Sequence, residues 1–329
     1  MRRWGLLLGL LVVLVGLHLV FGSVVLPWAD FPALLSDPVY AQILWGLRLP
    51  EALTAVCVGA GLSVSGLQMQ TLFGNPLAGP SILGISAGAG LGAAFWVLLE
   101  PSALPAMVSA LGLVGLSVMG ALGVLAVVVG VSFRLPDRVG LLLVGLMIGY
   151  LSGALVSLIQ YGSRPEAIQR YLFWSFGDLA GLSWKSLRIL LGCTAIGLVG
   201  AFTQSKTLNA WLLGENYARS MGLRLHRSRL IVIVLSGVLT GCVTAFVGPI
   251  GFVGIAVPHI CRRVFQTSDH RVLLPAAMLV GAIFLLTCDL IAKLPGYSIR
   301  LPLNAVTALL GAPIVIWVIV RWRGASGGR

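Results

Sequence analysis

Residues that could do chemistry are sparse in this sequence. Asp289 is the one carboxylate well inside an apolar run, and it lies close to the end of that run. There is no H-E-x-x-H, no G-x-S-x-G and no close pair of acids within an apolar stretch, so the chain offers no hydrolytic machinery. We therefore predict no catalytic residue and a chain that is not an enzyme.

Nucleotide and metal chemistry are also poorly supported. Lys185 and Lys206 each precede a hydroxyl residue, but neither follows the glycine that a phosphate-binding loop requires. The five cysteines each stand alone in an apolar segment, which predicts small buried side chains. Packing or solvation explains the scattered histidines better than ligation does, and these are His18, His226, His259 and His270. We predict no metal site.

The amino-acid composition indicates which kind of secondary structure carries these residues. The chain of 329 residues is 58% apolar and 10% charged, too little polar surface to cover a water-soluble core. Continuous apolar runs indicate helices rather than barrel strands. We predict an all-α polytopic membrane protein, a single domain over 1–329. Its ten transmembrane helices lie near 4–24, 51–73, 81–99, 104–131, 139–160, 187–203, 229–247, 250–262, 272–292 and 303–320.

Charge placement predicts the orientation of these spans. With both termini in the cytoplasm, the inner segments hold 15 of the 22 Lys and Arg residues but only three acids, Asp137, Glu215 and Asp269. The outer segments then hold seven basic and seven acidic residues, counting Asp30 and Glu100. This asymmetry fits the positive-inside rule, so we expect an inner (cytoplasmic) membrane protein and no nucleic-acid partner.

Two apolar stretches are broken by turn-forming residues. In "LFGNPLAGPSILGISAGAG", residues 72–90, Pro76 keeps Asn75 out of helical geometry and Pro80 favours a new helix start, which predicts a tight turn. In "VGPIGFVGIAVPHICRR", Pro249, Gly251, Gly254 and Pro258 break the predicted eighth span. A broken segment at membrane depth needs cover from protein or a water-filled cavity, so this one is a candidate pathway wall.

One polar segment looks suited to receive a partner. The sequence "LNAWLLGENYARSMGLRLHRSR" predicts two short surface helices over 208–222 with a glycine turn between them. A solvated basic linker is the alternative. Against it stands the apolar surface that the segment is expected to expose, contributed by Trp211, Leu212, Leu213, Tyr217 and Met221.

Several motifs together resemble a known family of permeases. These are "GLRLPEAL", "VSGLQMQTLFGNPLAGPSILGISAGAG", "LLGENYARSMGL", "GPIGFVGIAVPHICRRVFQTSDHRVLLP" and "LPLNAVTALLGAPIVIWVIV", spread over 47–320. In this combination they resemble the transmembrane subunits of the ABC importers for iron-siderophores, haem and cobalamin.

The resemblance implies a fold, partners and a cargo. It implies the type II ABC importer permease fold and a homodimer around a central path for a metal chelate. A cytoplasmic ATPase dimer would bind ATP and Mg, so this subunit would bind no cofactor. A periplasmic or lipid-anchored binding protein would deliver substrate.

The resemblance also implies site residues. Asn75 and Leu77 match the cytoplasmic gate, with Pro249, Gly251 and Gly254 beside the path. ATPase coupling is expected of Leu213, Gly214, Glu215, Arg219, Met221 and Gly222. Binding-protein docking is expected of the cations Arg48 and Lys293, and of Arg300 at the outer rim.

This chain departs from the family pattern at four places, one of which is Lys293, where arginine can occur. Val139 and Gly140 stand where a hydroxyl residue often completes the gate, so we assign no residue to its second half. Arg300 stands where the family commonly has an acid, and Asn304 replaces a glycine. The sequence does not separate the possible cargoes. An ion-coupled secondary carrier of a bulky amphipathic solute remains the alternative, with Asp289 as its candidate site.

Overall fold

The computed structural model describes residues 2–22, 37–99, 106–135, 137–293 and 300–326. Asp30, Glu100 and Arg329, which entered the charge balance, lie outside the described residues, as do positions 23–24 and 104–105 of the predicted spans. The helices are α1 (Arg2–Val20), α2 (Pro38–Ile43), α3 (Leu49–Phe73), α4 (Ile85–Leu99), α5 (Ala106–Arg134), α6 (Arg138–Tyr161), α7 (Pro165–Ser175), α8 (Trp184–Thr203), α9 (Ser205–Leu212), α10 (Glu215–Ser220), α11 (Leu225–Val247), α12 (Val253–Phe265), α13 (His270–Ala292) and α14 (Leu303–Ser326).

Each of the ten predicted spans corresponds to a helix of the described chain, although the helices differ in length. Seven are long and apolar enough to cross a membrane, and α4 and α14 provide shorter apolar stretches, Ile85–Leu98 and Leu303–Val318. The remaining one, α12, has only 13 residues. The chain is therefore an all-α polytopic bundle, as predicted.

Two features of the helices differ from the sequence prediction. A π-helical turn, Leu44–Arg48, joins α2 to α3, so the second span is continuously helical from Pro38 to Phe73 instead of beginning near residue 51. The sequence interpretation also missed α7. This helix has 11 residues and mixes polar with apolar side chains, so it is too short and too polar to be recognised as a span.

The centre of the bundle is α3, whose residues are almost all buried. Small residues let neighbouring helices approach its backbone: a Cβ at Gly59 would overlap the Gly281 carbonyl of α13, and one at Gly66 would overlap the Gly254 carbonyl of α12. We call the end of the bundle with residues 74–79, 204–224 and 266–269 the inner end, because it is predicted to be cytoplasmic. The opposite end is the outer end.

Candidate functional sites

The turn at residues 74–79, the gate turn, begins with a helix cap. Gly74 has a left-handed backbone, with φ of 57°, and the amides of Gly74 and Asn75 donate to the carbonyls of Thr71 and Gln70 as in a Schellman motif. The Asn75 side chain then accepts from the Leu77 amide at 2.9 Å. Asn75 thus orders the turn, and Leu77, at its tip, is 39% exposed.

The gate turn is also held from α12. His259 Nε2 lies 2.8 Å from the Pro76 carbonyl and donates to it, because a carbonyl oxygen can only accept. Deeper in the bundle, Gln70 donates to the Ile255 carbonyl at 3.1 Å and accepts from Arg262 at 2.6 Å. The inner end of α3 is therefore fixed to α12 by both backbone and side-chain contacts.

Residues 248–252 form the broken part of the predicted eighth span. Gly248 and Phe252 have positive φ, 76° and 66°, and α12 starts at Val253, beside Gly66 in the inner half of α3. The Gly251 amide would lack a helical partner, but Asn304 of α14 accepts its hydrogen bond at 3.0 Å. The segment is thus irregular backbone satisfied by protein, which is the condition for such structure at membrane depth.

Two short helices at the inner end, α9 and α10, carry the predicted coupling residues. Gly214 joins them with φ of 94° and Gly222 follows α10 with φ of 82°, so both positions favour glycine. Leu213 and Met221 are 61% and 62% exposed. Arg219 is exposed on α10. Two exposed apolar side chains and one exposed cation therefore lie on this short segment at the inner end.

One expected member of this exposed set is not on the surface. Trp211 was predicted to be exposed, but it is buried, and its indole Nε1 donates to the Ser228 hydroxyl at 3.2 Å. The Arg229 guanidinium lies over its ring and also lies 3.4 Å from Glu215. Trp211 therefore anchors α9 to α11, and the sequence prediction was wrong because it could not tell which face of α9 is turned inward.

The outer end contains a buried ion cluster. Lys293 Nζ lies 2.7 Å from Glu51 and 3.4 Å from Asp289. Arg300 lies 2.7 Å from Glu51, 3.3 Å from Asp178, and also contacts Asp289. Although burial opposes it, these three carboxylates raise the pKa of Arg300. The cluster joins α3, α13, the start of α14 and the loop before α8.

Two of the three cations expected to dock the binding protein, Arg48 and Lys293, are buried. Lys293 is 8% exposed, and Arg300, with 31% of its side chain exposed, faces three carboxylates. Arg48 is 5% exposed, and its guanidinium donates to the Leu19 carbonyl at 2.7 Å and to the Val20 carbonyl, so it caps the end of α1. The sequence could not reveal these pairings because the partners lie far apart in the chain.

Asp289 is also part of the buried ion cluster. It is fully buried, contacts the His18 ring from α1, accepts a hydrogen bond from Arg300 and lies 3.4 Å from Lys293 Nζ. His18, Glu51 and Asp289 have their ligand atoms close enough to suit a metal ion. Two side-chain cations already compensate both carboxylates, however, and Lys293 Nζ also lies 3.0 Å from His18 Nδ1. The donor set suits internal ion pairing better than metal binding.

A family model and individual relatives each match nearly the whole chain. Residues 10–321 match the FecCD transport family. The vitamin B12 import system permease protein BtuC of Klebsiella pneumoniae is 39% identical over 325 residues, which cover 98% of this chain and 95% of that protein. The protein of the same name from Vibrio cholerae is 38% identical over 327 residues, covering 97% and 95%.

Solved structures agree with this result. A structure described as an inward-facing conformation of a metal-chelate type ABC transporter matches with a TM-score of 0.87 at 33% identity, covering 97% of this chain and 99% of that chain. A second structure, PsaBC from Streptococcus pneumoniae, matches with a TM-score of 0.51 at 16% identity, which is a likeness of fold alone.

Proposed function

The chain belongs to the FecCD transport family, and on that premise we propose that it is the membrane-spanning subunit of an ATP-driven importer of a metal chelate, working as a homodimer. The observation that carries the proposal is the match, over nearly the whole of both chains, to a metal-chelate type ABC transporter. A separate ATPase dimer supplies the hydrolysis, and a binding protein delivers the cargo.

The proposed path runs between the broken segment and the gate turn. Leu77 at the tip of the turn closes the inner end, and Asn75 keeps the turn in shape through its bond to the Leu77 amide. Pro249, Gly251 and Gly254 form part of the wall. Support comes from the irregular backbone of residues 248–252, because such backbone is tolerated at membrane depth beside a cavity or under protein cover.

The proposed ATPase-docking surface is the exposed part of α9 and α10. Leu213 and Met221 supply apolar contact area, and Arg219 supplies charge at the edge. Gly214 and Gly222 set the turns that present them. Glu215 also belongs to the proposed surface. Because it pairs with Arg229 of α11, we expect it to hold α10 in position.

The proposed binding-protein surface lies at the outer end. Among the three predicted cations, Arg300 is the one with a substantial exposed fraction, so it is the one we propose to meet an acidic group of the binding protein directly. Lys293 and Arg48 would act indirectly, by holding the ends of α13, α3 and α1 in place.

An ion-coupled carrier is less well supported. Its candidate carboxylate, Asp289, is fully buried and paired with Lys293 and Arg300. A coupling site must exchange its ion during the cycle, whereas removing one partner from a buried pair is costly.

We propose cobalamin as the first cargo to test, because the relatives described above carry the name of vitamin B12 import permeases. The test is uptake into liposomes that contain the chain together with the ATPase and binding protein that co-purify with it. Cobalamin, haem and a ferric siderophore are supplied in turn. ATP-dependent accumulation of cobalamin supports the proposal. Accumulation of another chelate corrects the cargo, and accumulation of none contradicts the importer assignment.

A further inference from the structure

The Asn209 side chain of α9 hydrogen-bonds to the start of α13. Its Oδ1 accepts from the His270 backbone amide at 2.9 Å and from His270 Nδ1 at 2.8 Å, and its Nδ2 donates to Asp269 at 2.6 Å. Two donors face the oxygen and a carboxylate faces the nitrogen, so the amide orientation is determined by its partners. Asn209 therefore completes the cap of α13 from another helix.

The same histidine continues the connection to α3. His270 is fully buried, and its Nε2 lies 2.8 Å from the Thr71 hydroxyl. Because Nδ1 donates to Asn209, Nε2 of a neutral ring accepts, and the Thr71 hydroxyl shares its one proton between this nitrogen and the Leu67 carbonyl, 2.9 Å away. Thr71 lies in the last turn of α3, and its carbonyl accepts from Gly74 at the start of the gate turn. Hydrogen bonds thus run from α9 through His270 to the gate turn.

A cleft separates the two regions that this connection joins. It has a volume of about 460 Å³ and is bordered by Gly74 and Pro76 on the gate side and by Trp211, Leu212 and Gly214 on the α9 side. Helix α9 also approaches α3 directly. Asn209 and His270 add a hydrogen-bonded connection from α9 to the last turn of α3, where the gate turn begins.

We propose that Asn209, His270 and Thr71 are positioning residues that transmit the displacement of α9 to the gate turn. The inference rests on the proposed function, in which α9 and α10 receive the ATPase. Buried hydrogen-bonding groups are costly to leave without partners, so the three side chains move together and not separately. Loss of one link uncouples the gate turn from α9 while the docking surface stays intact.

Thr71→Val tests the link at the gate side, because it keeps the shape of the side chain and removes the hydroxyl. Thr54→Val is the matched control: Thr54 is a buried threonine of the same helix whose hydroxyl donates to the Pro50 carbonyl at 2.7 Å, within the helix. The readout is cargo taken up per ATP hydrolysed by the reconstituted complex. We expect Thr71→Val to lower this ratio about two- to thirty-fold, the range that single positions in a coupling network produce, with the ATPase still bound.

Asn209→Ala tests the link at the α9 side, with Gln169→Ala on the exposed face of α7, away from the proposed docking surface, as its control. The expected result is a lower ratio for Asn209→Ala and an unchanged ratio for Gln169→Ala. Because the residues act in series, the Asn209→Ala/Thr71→Val double variant should be no worse than the more damaging single variant.

The outcomes separate this inference from the proposed function. If the unaltered complex takes up no chelate with ATP, the proposed function fails. If the unaltered complex is active and both test variants keep the ratio of their controls, the inference fails alone. Equal loss of ATPase activity and uptake, together with loss of bound ATPase, would also overturn it, because Asn209 and Thr71 would then support docking and not transmission.

Discussion

The guanidinium of Arg300 lies 2.7 Å from the carboxylate of Glu51, and the same guanidinium contacts Asp289 and Asp178. Arg300 also stands at the position where the resemblance to the permease family leads us to expect an acid. Its pairing gives that departure a structural role, because one cation placed before α14 compensates carboxylates from three other parts of the chain.

Arg300→Gln is therefore expected to destabilise the protein. Loss of one partner from a buried pair costs about 3–5 kcal/mol, and partial exposure of Arg300 should reduce this to about 2 kcal/mol. The measurement is thermal unfolding in detergent, with Lys185→Gln on the exposed outer surface as control. The Glu51→Gln/Arg300→Gln double variant should recover part of the loss. Equal melting temperatures for Arg300→Gln and the control would contradict the pairing.

Leu213→Asp tests the proposed ATPase surface. A charge placed in an apolar contact loses its hydration on docking, so co-purification of the ATPase should fall about ten-fold or more, as for a central interface residue. Leu135→Asp in the loop between α5 and α6 is the control, because Leu135 is also exposed and apolar at the inner end. Undiminished ATPase binding by Leu213→Asp would remove this residue from the surface.

Gly222→Ala tests the left-handed turn after α10. The space around Gly222 is open, so the cost comes from its φ of 82° alone and should be about 1–2 kcal/mol. Gly123→Ala in α5 is the control, since it also has open space but lies within a helix, where alanine is tolerated or favourable. The free energy of unfolding measures both, and a stable Gly222→Ala variant would show that the turn does not require glycine.

Asn304→Ala tests how the broken segment is satisfied. The variant leaves the Gly251 amide without its acceptor, which should cost about 1–3 kcal/mol. Asn216→Ala, at an exposed position of α10, should change stability by less than about 0.5 kcal/mol. Equal stability of the two variants would mean that another group or water replaces Asn304.

Helix positions and the tight turn were predictable because they depend on local patterns. Continuous apolar runs gave the ten spans, and the Asn75, Pro76 and Pro80 pattern gave the turn. Burial and pairing were not predictable in the same way. Arg48 and Lys293 are charged residues of the kind usually found on the surface. In the structure, however, Arg48 bonds to backbone carbonyls of α1 and Lys293 pairs with the Glu51 carboxylate of α3.

The candidate site shows the same division. Leu213 and Met221 are exposed, as expected for apolar side chains in this largely polar segment. The burial of Trp211 could not be predicted locally, because it depends on Ser228 and Arg229 in the next long helix. Asn209 and His270 were not recognised as partners. A polar residue on a short helix carries no local signal for the helix end that it caps.

The most direct test of the central claim asks what drives transport. Liposomes containing the complete complex are loaded with ATP, or with ATP and an ATPase subunit that binds but does not hydrolyse it, and chelate uptake is counted with and without proton and sodium gradients. We predict uptake that requires hydrolysis and is unaffected by either gradient. Uptake that follows a gradient and persists with the inactive ATPase would contradict the account and make Asp289 the first residue to replace.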